Sequence, residues 1–117
     1  STPISVNTAI TITEMLAKSL ESEASVALVD GYRVAGKTGT AEIPTPYGYT
    51  SNVTNASFVG WGPVDEPQFL VFIWLEKPQS SIWGSVVAAP VFKEVVEELV
   101  VLLDIPPDFV RLKLYGQ

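Results

Sequence analysis

The chain contains no histidine and no cysteine. Without imidazole or thiol, neither a Ser-His-Asp nor a Cys-His catalytic set can be assembled from these residues, and the usual soft metal ligands are missing as well. Proton transfer would have to run through lysine or carboxylate. The lack of cysteine is compatible with either redox compartment. Positive charge is scarce: Lys and Arg total 7 against 13 Asp and Glu, for a net charge of −6, and no basic cluster occurs. A nucleic-acid footprint needs phosphate-neutralising cations gathered on one face, so nucleic acid is a poor partner. No apolar stretch reaches the roughly 18 residues of a membrane helix, and no basic segment followed by an apolar one stands at the N-terminus, so the chain itself is expected to be soluble. Internal repeats and low-complexity tracts are also absent.

What is present fits one small domain: 117 residues, a size that buries roughly two-thirds of its unfolded surface. Ser5 precedes a run with Ile12, Leu16 and Leu20 spaced by four, which predicts a capped helix over about 6–21. The Ser5-Val6-Asn7 triplet is read as that cap. Ser25 to Val29 fits a short strand or a loop. An extended segment over about 32–42 follows, and Pro44, Pro46 and Gly48 then predict a polar loop to about Asn52. Strands are expected over about 55–62 and 68–76, joined by the turn Pro63 to Pro67 as an antiparallel hairpin. The unbroken apolarity of Phe69 to Leu75 predicts that both faces of that strand are covered. One long helix is expected over about 85–103, with Val91, Val95, Leu99 and Leu102 as its buried stripe and Phe92, Val96 and Leu103 beside it, Pro90 in its first turn, and Pro106-Pro107 as its stop. Alternating Val110, Leu112 and Leu114 fit an added strand or a trailing tail. The fold class expected is a layered α/β (α+β) arrangement: an antiparallel sheet of about three strands flanked by an N-terminal and a C-terminal helix.

The chemistry concentrates in Lys37-Thr38-Gly39-Thr40. On a strand, Thr38 and Thr40 share one face while Lys37 and Gly39 take the other. Paired hydroxyls can grip a carboxylate, glycine lets a ligand approach the main chain, and an ammonium steadies an anion. With this strand at or near a sheet edge, an extended peptide could dock beside it. Gly31-Tyr32-Arg33-Val34-Ala35-Gly36-Lys37-Thr38 also satisfies the nucleotide P-loop pattern literally. That loop works only when its lysine opens a helix, and Gly39, Pro44 and Pro46 follow here instead. Trp61 and Trp74 are read as sheet packing, with Tyr47, Tyr49 and Trp83 in loops. The acid pairs Asp65-Glu66 and Glu97-Glu98 are read as turn and solvated helix.

Four separated segments carry a resemblance: Gly31 to Glu42 with its Lys-Thr-Gly-Thr, Ala56 to Pro63, the apolar strand ending Glu76-Lys77-Pro78, and Val87 to Phe92. In this order they resemble the closing third of the transpeptidase domain of class B penicillin-binding proteins, members of the penicillin-recognising serine enzymes. The similarity runs from about Ser5 to Asp108 and implies an incomplete piece of the β-lactamase/transpeptidase-like fold. By resemblance, Lys37 would assist the active-site serine, Thr38 and Thr40 would hold the carboxylate of a terminal D-alanine or of a β-lactam, Gly39 would border the ligand, and the Thr40 amide would donate to the oxyanion hole. The implied reaction is serine acyl transfer from D-Ala-D-Ala stem peptides, with no cofactor and no metal. No serine here is followed by lysine at the third position, so the family's Ser-x-x-Lys nucleophile is missing and the chain alone is expected to be inactive. Its expected partners are the remaining N-terminal part of the same domain, the peptidoglycan stem peptide and β-lactams, with self-association possible through an exposed strand edge. The parent protein is expected at the extracytoplasmic face of the bacterial cytoplasmic membrane. Alternative readings are a non-catalytic binding module of the same fold and a P-loop NTPase.

Overall fold

The computed structural model describes residues 1–115. Helix α1 (Val6–Glu23) opens on Ser5, whose Oγ accepts the Thr8 amide at 3.1 Å and satisfies one of the otherwise unpaired first-turn donors. A single 3-10 turn, Ser25–Ala27, replaces the expected strand or loop. Three antiparallel strands follow, β1 (Ala35–Thr45), β2 (Gly48–Gly62) and β3 (Phe69–Glu76), in spatial order β1-β2-β3. Strand β1 therefore lies at an edge. Short helix α2 (Gly84–Val87), helix α3 (Ala89–Leu102) and helix α4 (Asp108–Tyr115) complete the chain.

The β1–β2 hairpin is longer than the sequence suggests. Pro44 pairs with Tyr49 and Thr45 with Gly48, past a register shift between Glu42 and Pro44. Proline forbids a helix but is tolerated at an edge strand or beside a bulge, where no ladder donor is needed, and this edge supplies both. β3 pairs only with residues Asn55 to Gly62 of β2, so the far half of the hairpin projects as a two-stranded ribbon. At about 3.3 Å per residue, β2 alone spans about 50 Å, most of the molecule's 60 Å long dimension.

The core sits between one face of the sheet and α3. Ala89, Phe92, Val96 and Val100 form the buried stripe of α3, spaced by three and four, and Phe92 stacks at 45° on Phe58 of β2 with centroids 4.6 Å apart. The stripe anticipated at Val95 and Leu102 is exposed instead. The helix over 85–103 is also divided at Ala88, because Pro90, in the first turn of α3, cannot donate back to the preceding turn. The stop of α3 is a Schellman closure rather than the two prolines: Asp104 adopts φ 54°, its amide bonds Val101 O, and the Ile105 amide bonds Val100 O at 2.9 Å.

On the opposite face, α1 covers the sheet at Ala35 and Trp61 but leaves β3 uncovered. Leu70, Phe72 and Trp74 are 68%, 61% and 57% exposed, so the prediction that both faces of β3 are covered fails among the described residues, and Trp74 is not packed as expected. The other strand residues, Phe69, Val71, Ile73 and Leu75, face the core. Trp61 is half-buried, its indole N–H donating to Thr13 Oγ1 of α1.

Residues 110–114 fold as α4, neither strand nor trailing tail. Leu112 and Leu114 are exposed and Val110 is half-buried, whereas Arg111 between them is buried. Its guanidinium donates to Pro106 O, Asp65 and Asp108. Burial opposes that charge, but the carboxylates of Asp108 and Asp65 outweigh it and raise the Arg111 pKa above its ordinary value. Asp65 thus does more than fill a turn. Residues 116 and 117 lie outside the described residues.

Candidate functional site

Lys37 to Thr40 lie in the middle of β1, and the strand continues to Thr45. No helix opens at Lys37, so the amide cradle of a P-loop is not formed here and the nucleotide reading falls. The register sorts the four side chains as alternation requires. Thr38 pairs with Phe58 and Thr40 with Ala56, both buried toward α3, while Lys37 pairs with Val59 and Gly39 with Ser57 on the uncovered side. Lys37 is exposed, and its Nζ bends round the strand margin to within 3.3 Å of Thr38 Oγ1.

Thr40 Oγ1 accepts the Gly84 amide at 3.2 Å. That bond places the start of α2 directly on the strand. Gly84 is buried, and a Cβ there would come within 2.5 Å of Gly39 O and 2.6 Å of Ser57 O, so only glycine permits this approach. A hydroxyl that accepts through one lone pair retains its proton for donation, and Thr40 is exposed. The bare side of Gly39 is not open as the sequence suggests: the Ser57 Oγ occupies the place a Cβ would take. Behind the tetrad a cavity of about 180 Å³ is lined by Ser19, Leu20, Glu23 and Ala24 of α1, by Gly36, Lys37 and Thr38, and by Ser85.

The fold thus brings all four anticipated residues to one edge. Sequence reasoning missed Gly84 and Ser57 as their immediate supports. Gly84 was visible only as a helix opener, and cross-strand partners such as Ser57 follow from register, which needs the hairpin length. Tyr47, Tyr49 and Trp83 are exposed at 98%, 71% and 57%. Tyr47 lies at the hairpin turn and Tyr49 in β2 rather than in a loop. Trp83 immediately precedes Gly84. Among the described residues no group of three or more acidic side chains is placed to hold a metal ion, and no helix is long and apolar enough to cross a membrane.

The site is thus an edge strand bearing Lys-Thr-Gly-Thr, backed by one long helix. The family model for the penicillin binding protein transpeptidase domain matches residues 1–97. The chain belongs to that family. Among curated relatives, it is 32% identical over 107 residues to the probable peptidoglycan D,D-transpeptidase PenA of Neisseria flavescens, covering 89% of this chain and 27% of that protein. It is 36% identical over 83 residues to the peptidoglycan D,D-transpeptidase FtsI of Buchnera aphidicola, covering 70% of this chain and 14% of the relative. Of solved structures, the apo transpeptidase domain of Burkholderia pseudomallei penicillin-binding protein 3 superposes with a TM-score of 0.79 at 33% identity, covering 87% of this chain and 32% of that one. Penicillin-binding protein 3 of a mycobacterium, solved in complex with ampicillin, gives a TM-score of 0.75 at 28% identity, with coverage of 89% and 26%. The fold is therefore a part of the β-lactamase/transpeptidase-like architecture, and the chain spans about one-third or less of each of these proteins.

Proposed function

We propose that this chain is the Lys-Thr-Gly-Thr portion of a peptidoglycan D,D-transpeptidase. In the parent protein a serine supplied by polypeptide outside these 117 residues attacks the penultimate carbonyl of a D-Ala-D-Ala stem peptide. Terminal D-alanine leaves, and the acyl group passes from the serine to an amine; a β-lactam is trapped at the acyl-serine stage. Lys37 steadies the anionic character of this centre and shares its proton traffic. Thr38 and Thr40 donate hydroxyl protons to the substrate carboxylate, Gly39 borders the ligand, and the Thr40 amide supplies one oxyanion donor.

The observation that carries this reading is the tetrad itself, held on an edge strand with the Thr40 oxygen already accepting the Gly84 amide. That bond leaves the hydroxyl proton as the group available to an anion. The remaining N-terminal part of the domain is the partner expected on the uncovered face of Leu70, Phe72 and Trp74 and along the unpaired margin of β3. In its absence that margin offers a route to self-association. The parent acts at the extracytoplasmic face of the bacterial cytoplasmic membrane.

Labelled penicillin tests the reading. The chain alone should stay unlabelled, its mixture with the preceding part of the domain should be acylated, and a mixture made with Lys37→Ala should label far more slowly. An assembled but inert wild-type mixture would favour a non-catalytic binding module of the same fold.

A further inference from the structure

The family match ends at residue 97, yet the segment beyond it reaches back to the residues that lead into β1. The Asp108 amide donates to Gly31 O at 2.8 Å, and its carboxylate works in two directions: Oδ2 accepts the Arg33 amide at 2.7 Å, while Oδ1 accepts Arg111 Nη2 at 2.8 Å. Tyr32 Oη donates to Ile105 O. Arg111 is only 3% exposed; besides Asp108 it holds Pro106 O at 2.8 Å and Asp65 of the β2–β3 turn, and its Nε has no partner among the described residues. A buried guanidinium with an unsatisfied donor is poor packing compared with an apolar residue of similar volume, so its presence calls for a job that an apolar side chain cannot do. Nη2 alone holds the Asp65 and Asp108 carboxylates from different segments while Nη1 reaches the Pro106 carbonyl, a three-way tie that no apolar side chain can make.

We infer that Arg111 and Asp108 are positioning residues, forming a C-terminal clamp that fixes residues 31–33 and, through them, the placement of the Lys37 to Thr40 stretch of β1. Arg33 is the fulcrum. Its main-chain N–H is held by Asp108, its carbonyl accepts the Val64 amide at 2.8 Å, and its side chain pairs with Glu14 and Glu21 of α1. Lys37 lies four residues downstream on the same extended run, and a strand transmits a shift of its start along its length because its pairing register is all or none. The clamp's bearing on acylation rests on the transpeptidase reading; its bearing on β1 does not.

Amide hydrogen exchange on the 117-residue chain tests this directly, using Arg111→Met, Arg111→Lys, Asp108→Asn and Asp65→Asn. In Arg111→Met and Asp108→Asn, exchange at Arg33 and at those amides of residues 35–40 that bond to β2 should quicken by roughly tenfold or more, while β2–β3 amides such as Val59 and Val71 stay within about threefold of wild type. Arg111→Lys, which keeps the charge without the fork, should fall between. Asp65→Asn should loosen the β2–β3 turn and leave Arg33 protected. Equal loss across the whole sheet, or loss confined to Arg33 and residues 104–111, overturns the clamp. If Arg111→Met fails to fold, Arg111→Lys and Asp65→Asn carry the same discrimination. In the assembled domain, Arg111→Lys should slow penicillin labelling without lowering its final extent; an unlabelled wild type there indicts the transpeptidase reading and leaves the exchange result standing.

Discussion

Gly84→Ala probes the junction on which the site rests. The added Cβ would stand 2.5 Å from Gly39 O, 2.6 Å from Ser57 O and 3.3 Å from Ser57 N. Ordinary contact begins near 3.4 Å, so two carbonyl oxygens are overlapped by almost an ångström. All three atoms are main chain in the β1–β2 pair and cannot rotate away, so α2 must lift off the sheet. Overpacking of this kind costs about 1–3 kcal/mol, and the upper end applies where nothing flexible can yield. Lifting α2 also stretches the 3.2 Å bond from the Gly84 amide to Thr40 Oγ1, worth about 1 kcal/mol. Alanine returns about 0.4–1 kcal/mol by restricting the unfolded chain. The net expected loss is about 3 kcal/mol. For 117 residues the unfolding entropy is about 0.25 kcal/mol/K, so Tm should fall by about 12 °C. Urea denaturation followed by tryptophan fluorescence and a thermal melt measure it, with Ser85→Ala as a neighbour that should shift stability by no more than about 0.5 kcal/mol. A Gly84→Ala chain within about 0.5 kcal/mol of wild type would refute the close contact between α2 and the strand, and with it the account of why Thr40 is oriented as it is.

Three further outcomes follow from the same structure. Phe92→Ala empties a fully buried position against Phe58 and should cost about 3–5 kcal/mol in denaturant unfolding. Lys37→Ala removes an exposed side chain whose one polar contact is the hydroxyl next to it; its stability should stay within about 0.5 kcal/mol of wild type, which separates any loss of labelling from misfolding. Tyr32 titrates above its usual value of 10.0, chiefly because burial disfavours the phenolate. The native state therefore keeps this proton to higher pH than the unfolded chain does, and the stabilisation it gives is complete below about pH 10 and declines above it. Equilibrium unfolding between about pH 8 and 11 should show a steeper loss in wild type than in Tyr32→Phe.

How much of this was legible in the sequence divides along physical lines. Ser5 as a cap, the edge strand bearing Lys37 to Thr40 and the antiparallel order all rest on local chemistry, and local chemistry is written residue by residue. The length of the β1–β2 ribbon was not, because Pro44 and Pro46 break helices and central strands alike; the edge position of β1 makes Pro44 tolerable, and Pro46 falls in the turn itself. The buried stripe of α3 was centred one helical step off, with Phe92 and Val96 read as flanking it when they are its fully buried middle, because the two rows are equally apolar. Hydrophobicity could not choose between the two; the position of the sheet did. Arg111 carried no signal at all. A charged residue between Val110 and Leu112 reads as solvated, and its burial depends on two aspartates, one of them 46 residues away.

The alternation along β1 constrains how any ligand can use the tetrad. Lys37 projects on the face of Val59, the bare side of Gly39 is filled by Ser57 Oγ, and Thr38 and Thr40 turn toward Phe58 and Ala56. A ligand arriving on the uncovered face meets the ammonium but neither hydroxyl. Arrival from the other face is blocked, because Gly84 is packed against the Gly39 and Ser57 main chain. Only along the free margin of the strand do both sets of groups come within reach, and the 3.3 Å approach of Lys37 Nζ to Thr38 Oγ1 shows that the ammonium spans that margin. An edge strand also turns the main-chain groups of alternate residues outward. A ligand that engages the cation, the hydroxyls and the backbone together must therefore lie extended beside β1, in the plane of the sheet, with its anionic end toward the two threonines. Under the transpeptidase reading proposed above, such a geometry favours an extended peptide over a compact anion, because a compact anion reaches the hydroxyls and leaves the outward main-chain groups of the strand unused.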